Sequence, residues 1–377
     1  MYFVEKSKGI SYIKQFDYFL FITVIIMTIV GIFVLDSATN TMDGSKNLLI
    51  KQIASIIIGI TAALIISAID YKDFKILGII FYGISVLLLV YVMFKGTGET
   101  SWGSRSWISV PLVGRMQPSE FAKIAVVLVL SVYFEKIKES QGNKNVLKIF
   151  IFAAVPLAFV LKQPDYGTAM VFVFLIGVMI FISGIKYKYI LGGIIAAIPA
   201  SVFAWFFLLN EKRKDRIRVF FDPGSDASDS GYQVLQSIRT TGSGQVFGKG
   251  LFHGLQTQHG SVPERESDFI FTVIGEELGF IGSVIILILV FVLLMRCLYI
   301  AKNSRDPFGS FLVIGLTSMM AIHYIESIGM CIGIMPVTGI PLPFISKGGS
   351  AMVTNYIAIG IILSVSMRRK KAIFNTT

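Results

Sequence analysis

The sequence predicts an all-α polytopic integral membrane protein with about ten transmembrane helices and a large extracellular loop between helices 7 and 8. Three observations predict it. Of 377 residues, 54% are hydrophobic and only 15% are charged, with a mean hydropathy of +0.74; a soluble chain carries about 25% charged residues. Apolar runs of the length that crosses a bilayer, roughly 20 residues, recur ten times. The basic residues are also unevenly placed along the loops. The net charge of +11 is read as topological bias and attraction to anionic membrane lipid rather than nucleic-acid binding.

The runs are Tyr18–Val34, Leu49–Ala68, Ile76–Phe94, Glu120–Phe134, Val146–Leu161, Asp165–Ile182, Tyr189–Leu209, Asp268–Leu298, Phe308–Ile334 and Ala351–Met367. Only Lys162–Pro164 separates the fifth from the sixth. An even number of spans puts both termini on one side. With the N-terminus inside, and Lys51, Lys148 and Arg296 near span ends counted with the segments they border, the inner segments carry 18 Lys/Arg, against 7 in the short outer segments. Positive charge favours the cytoplasm, so both termini are expected there. No small-residue cleavage site follows the first apolar run, so that run is read as a retained helix.

The whole chain, 1–377, reads as one membrane domain. Residues 1–17 form a cytoplasmic N-terminus and 368–377 a basic cytoplasmic tail. Residues 95–119 and 210–267 form outer loops, the second ordered and packed on the membrane surface. Its apolar pieces VFF and VLQSI and its glycine-rich TTGSGQVFGKGLFHG argue for that, since so long a loop is usually functional or disordered. Residues 335–350, PVTGIPLPFISKGGS with its preceding Met335, hold too many prolines and glycines for a helix. Non-helical backbone at membrane depth must be buried in protein or line a cavity, so the segment is expected to be re-entrant.

Charged side chains inside spans face a cavity or the bundle interior. Glu120 and Lys123, three apart in QPSEFAK, share one helix face; they are an ion-paired helix start or one wall of an outward cavity. Asp165 follows Pro164 and reads as an N-cap or first-turn acid. In SDFIFTVIGEELGF, Asp268 sits at the outer end of the eighth span. Glu276 and Glu277 come roughly 12 Å deeper by helical rise. Glu276 returns to nearly the face of Asp268 and Glu277 is rotated off it, and both are assigned to polar packing within the bundle. His323 and Glu326 read as a hydrogen-bonded interior pair, with a proton relay as the alternative. The cysteines Cys297 and Cys331 imply neither a disulfide framework nor a metal site. No nucleotide-binding loop and no metal spacing among the three histidines is present, so no cofactor is required and the energy for any synthesis must arrive in the substrate.

The stretches RSWISV…QPSEFAK, KQPDYGT, FFDPGSD…GYQVLQS, GSGQVFGKG, SDFIFTVIGEELGFIG and IGMCIGIMPVTGIPLPFISKGGS resemble, in order, the motifs of the SEDS family. These are the polytopic proteins of shape, elongation, division and sporulation, with RodA, FtsW and SpoVE branches. The FGKG…LQTQ spacing favours the RodA-like branch. Three positions depart from the family pattern: Lys347 where a tyrosine is usual, Ser327 where an asparagine is usual, and a glycine lost from GSGQVFGKG.

The resemblance implies a multi-pass protein of the bacterial plasma membrane, a peptidoglycan glycosyltransferase that polymerises lipid II at the outer membrane face beside a class B penicillin-binding protein that crosslinks the strands. By that resemblance Asp268 is the essential acid, here read as general base, and Glu120, Lys123, Asp165 and Trp107 line the cavity. The departing polyprenyl pyrophosphate needs positive charge. Lys123 is the first candidate for it, with Arg105, Arg216, Arg218, Arg239 and Lys347 as others. A divalent cation bridging Asp268 and the pyrophosphate is a competing arrangement. A precursor flippase and a non-catalytic transpeptidase scaffold are the rival functions.

Overall fold

The computed structural model describes residues 15–98, 104–110, 114–140, 144–185, 187–203, 206, 211–222, 224 and 230–369. Nearly all of the expected N-terminal segment, most of the basic tail and the centre of FFDPGSD lie outside these residues.

Asp17 starts the first helix. Its carboxylate accepts the Leu20 amide at 3.1 Å and so caps α1, Tyr18–Thr39. Two more long apolar helices follow, α2 (Ser45–Ala68) and α3 (Phe74–Lys95). Next comes an antiparallel hairpin of β1 (Ile108–Val110) and β2 (Gly114–Met116), with Ser109 opposite Arg115. This hairpin departs from the all-α expectation. Trp107 and Thr97 exchange backbone hydrogen bonds just outside it, so the segment after α3 folds back on itself as a ribbon.

Helices α4 (Pro118–Ser140), α5 (Lys144–Lys162), α6 (Tyr166–Ile182) and α7 (Tyr187–Phe203) come next. The fifth and sixth runs are separate helices, because Asp165 caps α6 by accepting the Thr168 amide. The long connection that follows contains α8 (Glu211–Phe221), α9 (Ser230–Ser243) and the single turn α10 (Leu255–Gln258). The eighth run opens with a short α11 (Ile270–Val273) and a π-helical turn (Ile274–Leu278). It then continues as α12 (Gly279–Lys302). Helices α13 (Pro307–Cys331) and α14 (Gly349–Met367) complete the chain.

All ten apolar runs form helices among the described residues. Six are long and apolar enough to cross a membrane: α1, α2, α3 with its leading turn, the Ile270–Lys302 unit, α13 and α14. The span windows of α13 and α14 are each 83% buried, whereas that of α2 is 22% buried. α13 and α14 therefore form the hub, and α2 and α3 turn Ile57, Ile58, Ile76 and Leu87 outward, as lipid-facing helices do. Small residues let α2 and α14 touch backbone to backbone. A Cβ on Gly360 would lie 2.8 Å from Ala63 Cα, and one on Gly59 would lie 2.7 Å from the Tyr356 ring.

The two ends of the bundle are chemically distinct. At one end Asp17 accepts from Arg296 Nε at 3.0 Å and from Ser366 Oγ at 3.4 Å, tying the start of α1 to the ends of α12 and α14. At the other end the long connection folds onto the bundle. Ser237 of α9 donates to the Cys331 carbonyl at 2.7 Å. The segment 335–348 dips into the bundle at this loop end. A Cβ on Gly31, about two turns inside α1, would lie 2.7 Å from Ile345 Cα. Gln52 of α2 binds the Ser346 carbonyl and the Gly348 amide.

Candidate active site

Asp268 lies where the long connection enters the bundle, just before α11. Its backbone carbonyl accepts from Cys331 Sγ at 3.7 Å. Its carboxylate faces Gly339: a Cβ there would lie 3.2 Å from Asp268 Oδ2, and Gly339 holds φ +74°. The strap 335–348 therefore covers one side of Asp268, while part of the residue stays open to solvent. Burial pushes its carboxyl up to about 7, with help from Glu264 and Glu266; Ser267 and Lys347 oppose the rise. A carboxylate poised near neutrality at the mouth of a bundle suits proton transfer.

The strap is stitched to the chain around Asp268. Lys347 donates its backbone amide to the Glu266 carbonyl at 2.9 Å and its ammonium to Glu266 Oε1 at 3.1 Å. Ser346 Oγ donates to the Ser267 carbonyl at 2.6 Å and accepts from the Leu342 amide at 2.8 Å. Glu266 and Gly339 were not singled out from the sequence. The positive φ of Gly339 could have been suspected from TGIP, but the partner of Lys347 could not.

A second polar group lies on the other side of the same strap. Thr338, next to Gly339, packs its carbonyl on Gly167: a Cβ there would lie 2.6 Å away. Asp165 is two residues from that contact and accepts Gln117 Nε2 at 2.8 Å besides capping α6. Lys123, with 1% of its surface exposed, donates to Glu120 Oε1 at 2.8 Å. It also lies 2.7 Å from His323 Nε2. An ammonium cannot accept, so this imidazole nitrogen must.

Several expectations are corrected by this arrangement. His323 pairs with Lys123, not with Glu326, whose carboxylate is fully buried and has no hydrogen-bond partner among the described residues. Lys123 itself is buried in the cluster with Glu120 and His323. Among the described residues, the charged neighbours that shift the Asp268 carboxyl are Glu264, Glu266 and Lys347. Arg218 pairs with Asp215 at 2.7 Å on the exposed face of α8, Arg239 is exposed on α9, and Arg105 is exposed before β1. The side chain of Arg216 lies outside the described residues. Trp107 is held at the hairpin by its two bonds to Thr97, and β2 of that hairpin packs on α14.

The largest correction concerns Glu276 and Glu277. Neither sits two turns below a straight helix, because the π-helical turn interrupts that helix. The loop glycines approach the turn edge to edge. Lys249 and Gly250 donate their amides to the Glu276 and Glu277 carbonyls at 3.0 and 2.9 Å, and Phe280 and Ile281 donate theirs to Gln245 and Val246. A Cβ on Gly244 would lie 2.0 Å from the Gly275 carbonyl oxygen, and one on Gly248, at φ +77°, 2.2 Å from that of Glu277. That close approach is the physical reason for the GSGQVFGKG glycines.

Both carboxylates then hold the loop. Glu276 accepts from Lys249 Nζ at 2.7 Å, from the Gln256 and Thr257 amides and from Thr257 Oγ1. Glu277 accepts from Ser37 Oγ at 2.6 Å and from the Phe252 and Gly254 amides. Ser37 lies near the loop end of α1, so this contact places Glu277 at the loop end of the bundle.

Known proteins match along nearly the whole chain. The FtsW/RodA/SpoVE family, described as cell cycle protein, matches residues 15–371. Peptidoglycan glycosyltransferase MrdB of Escherichia coli K12 is 35% identical over 323 residues, covering 85% of this chain and 86% of its own. Stage V sporulation protein E of Bacillus subtilis is also 35% identical, over 93% of this chain and 96% of its own; identity therefore does not single out one branch. A solved structure titled for the coordination of polymerization and crosslinking by a peptidoglycan synthase complex superposes with a TM-score of 0.79. That match has 27% identity and covers 93% of this chain and 97% of that one. Sharing that fold, most of its length and the order of its motifs, this chain belongs to the FtsW/RodA/SpoVE family.

Proposed function

We propose that the chain is a peptidoglycan glycosyltransferase that polymerises lipid II, with Asp268 as general base. The observation that carries the catalytic role is the half-buried Asp268 carboxyl, raised to about 7, at the loop end of the bundle. The acceptor hydroxyl attacks the anomeric carbon of the donor. Its proton passes to Asp268 as the bond to the polyprenyl pyrophosphate breaks, and that anion leaves with the bond's electron pair. A positioned base is typically worth about 10²–10⁴-fold. The substrate brings its own leaving group, so no nucleotide is needed.

In this reading all ten helices span, both termini are cytoplasmic and the loop end faces outward, where lipid II and a class B penicillin-binding protein meet it. The named relatives and the synthase complex support these assignments by similarity. Were a divalent cation to take part, Asp268 would be the residue to hold it, and it would neutralise charge on the departing pyrophosphate. Among the described residues no group of three or more His, Cys, Asp or Glu gathers to hold one by itself. The test is polymer formation from labelled lipid II by the wild type and by Asp268→Ala, each with its transpeptidase partner.

A further inference from the structure

Among the described residues, Glu326 is the buried acid with neither carboxylate oxygen partnered, and the proposed reaction leaves it unused. It projects from α13 with 0% exposure, and neither carboxylate oxygen has a hydrogen-bond partner among the described residues. Its electrostatic neighbours are Lys123 of α4, Asp165 at the start of α6 and Thr338 of the strap. The Thr338 hydroxyl approaches without forming a well-directed bond. On its own helix are His323 and Tyr324. Packed against that helix, α14 carries Tyr356 but no charged residue, α11 none, α9 only the exposed Arg239, and α12 Arg296 and Lys302 towards the other end, where Asp17 holds Arg296.

The charge balance is one-sided. Lys123 is already committed to Glu120 and His323. An ionised Glu326 would therefore add an uncompensated negative charge in a low-dielectric interior, which is strongly unfavourable. It would also compete with Glu120 for the ammonium and draw Lys123 away from His323. A proton on Glu326 removes both effects.

We propose that Glu326 is a proton-binding site whose occupancy sets the Lys123–Glu120–His323 cluster and, through Thr338 and its neighbour Gly339, the placement of Asp268. The exchange is simple: the carboxyl releases a proton to bulk water and becomes a carboxylate, or recaptures one. Glu326 touches no substrate, so it is a positioning residue. Its effect on turnover rests on the reading of Asp268 as the base, but its protonation does not.

Two measurements test this on the full chain in lipid nanodiscs. Infrared difference spectra between acid and alkaline buffer are expected to show a buried carboxyl C=O band that is lost in Glu326→Gln and kept in Asp268→Asn. In lipid II polymerisation, wild-type activity is expected to fall on the alkaline side by about tenfold per pH unit past the midpoint. Glu326→Gln, near-isosteric and permanently neutral, is expected to hold its activity there. Glu326→Met serves as a second uncharged variant if the amide misfolds. An unchanged carboxyl band in both variants overturns the proposal, as does an alkaline limb that neither variant moves or a sodium ion that replaces the proton's effect. Failure of the Asp268 reading instead shows as full activity in Asp268→Asn with the Glu326 band intact.

Discussion

Lys347 of the strap holds Glu266, two residues before Asp268, at 3.1 Å. Lys347 lowers the Asp268 carboxyl and Glu266 raises it, so this ion pair tunes the proposed base. Lys347→Gln is expected to move the acid limb of the rate profile to higher pH, and Glu266→Gln to lower pH. The dependence of kcat/KM on pH in the two variants measures this.

For the wild type the sign follows from the raised Asp268 carboxyl. A base must be ionised, so activity is expected to rise through a midpoint near pH 7 and to fall about tenfold per unit below it. The same shift acts on stability. A carboxyl whose folded pKa is raised favours the folded state at low pH, and that contribution is lost as pH rises from the unfolded carboxylate range to about 7. Asp268→Asn is therefore expected to melt above the wild type at pH 8, which thermal unfolding in detergent checks.

Gly248→Ala tests why the loop needs glycine. Its φ of +77° and the 2.2 Å approach to the Glu277 carbonyl leave no room for a Cβ. The strained backbone alone costs about 1–3 kcal/mol, and the loop edge must also separate. Gly250→Ala has a positive φ but open space, with His253 Nδ1 at 3.7 Å, and is expected to cost less. Melting temperatures of the two variants decide between them.

Glu276→Ala removes the acceptor for Lys249, Gln256 and Thr257. Hydrogen bonds to a charged group contribute about 1.5–3 kcal/mol each at most in net terms, so a loss of at least about 2 kcal/mol is expected. Faster proteolysis within 243–258 would accompany it. Lys123→Ala leaves Glu120 buried without its cation and is expected to destabilise the chain by about 3–5 kcal/mol. A folded Lys123→Ala protein with wild-type stability would contradict the closed cluster.

Much of the fold was legible because it is local. Apolar runs mark where the long helices lie, and Asp165 announces a helix start by residue type alone. Glu120 and Lys123, three apart, declared their pairing. What was not legible depends on contacts between distant segments. Lys123 finds His323, Lys347 finds Glu266, and Glu277 finds Ser37 on α1. No periodicity marks those pairings, nor the π-helical turn that re-aims Glu276 and Glu277. The loop glycines were visible, but the edge they approach was not. Asp268 emerged from a family resemblance and its place at the end of a span, while the strap that sets its surroundings appears only in three dimensions.

The central claim is that Asp268 carries the chemistry. The most direct measurement gives labelled lipid II to the purified chain and its class B penicillin-binding protein and resolves glycan polymer on a gel. Wild type and Asp268→Ala are compared at equal amounts of folded protein. The account predicts polymer from the wild type and none from Asp268→Ala; equal polymer from both would contradict it.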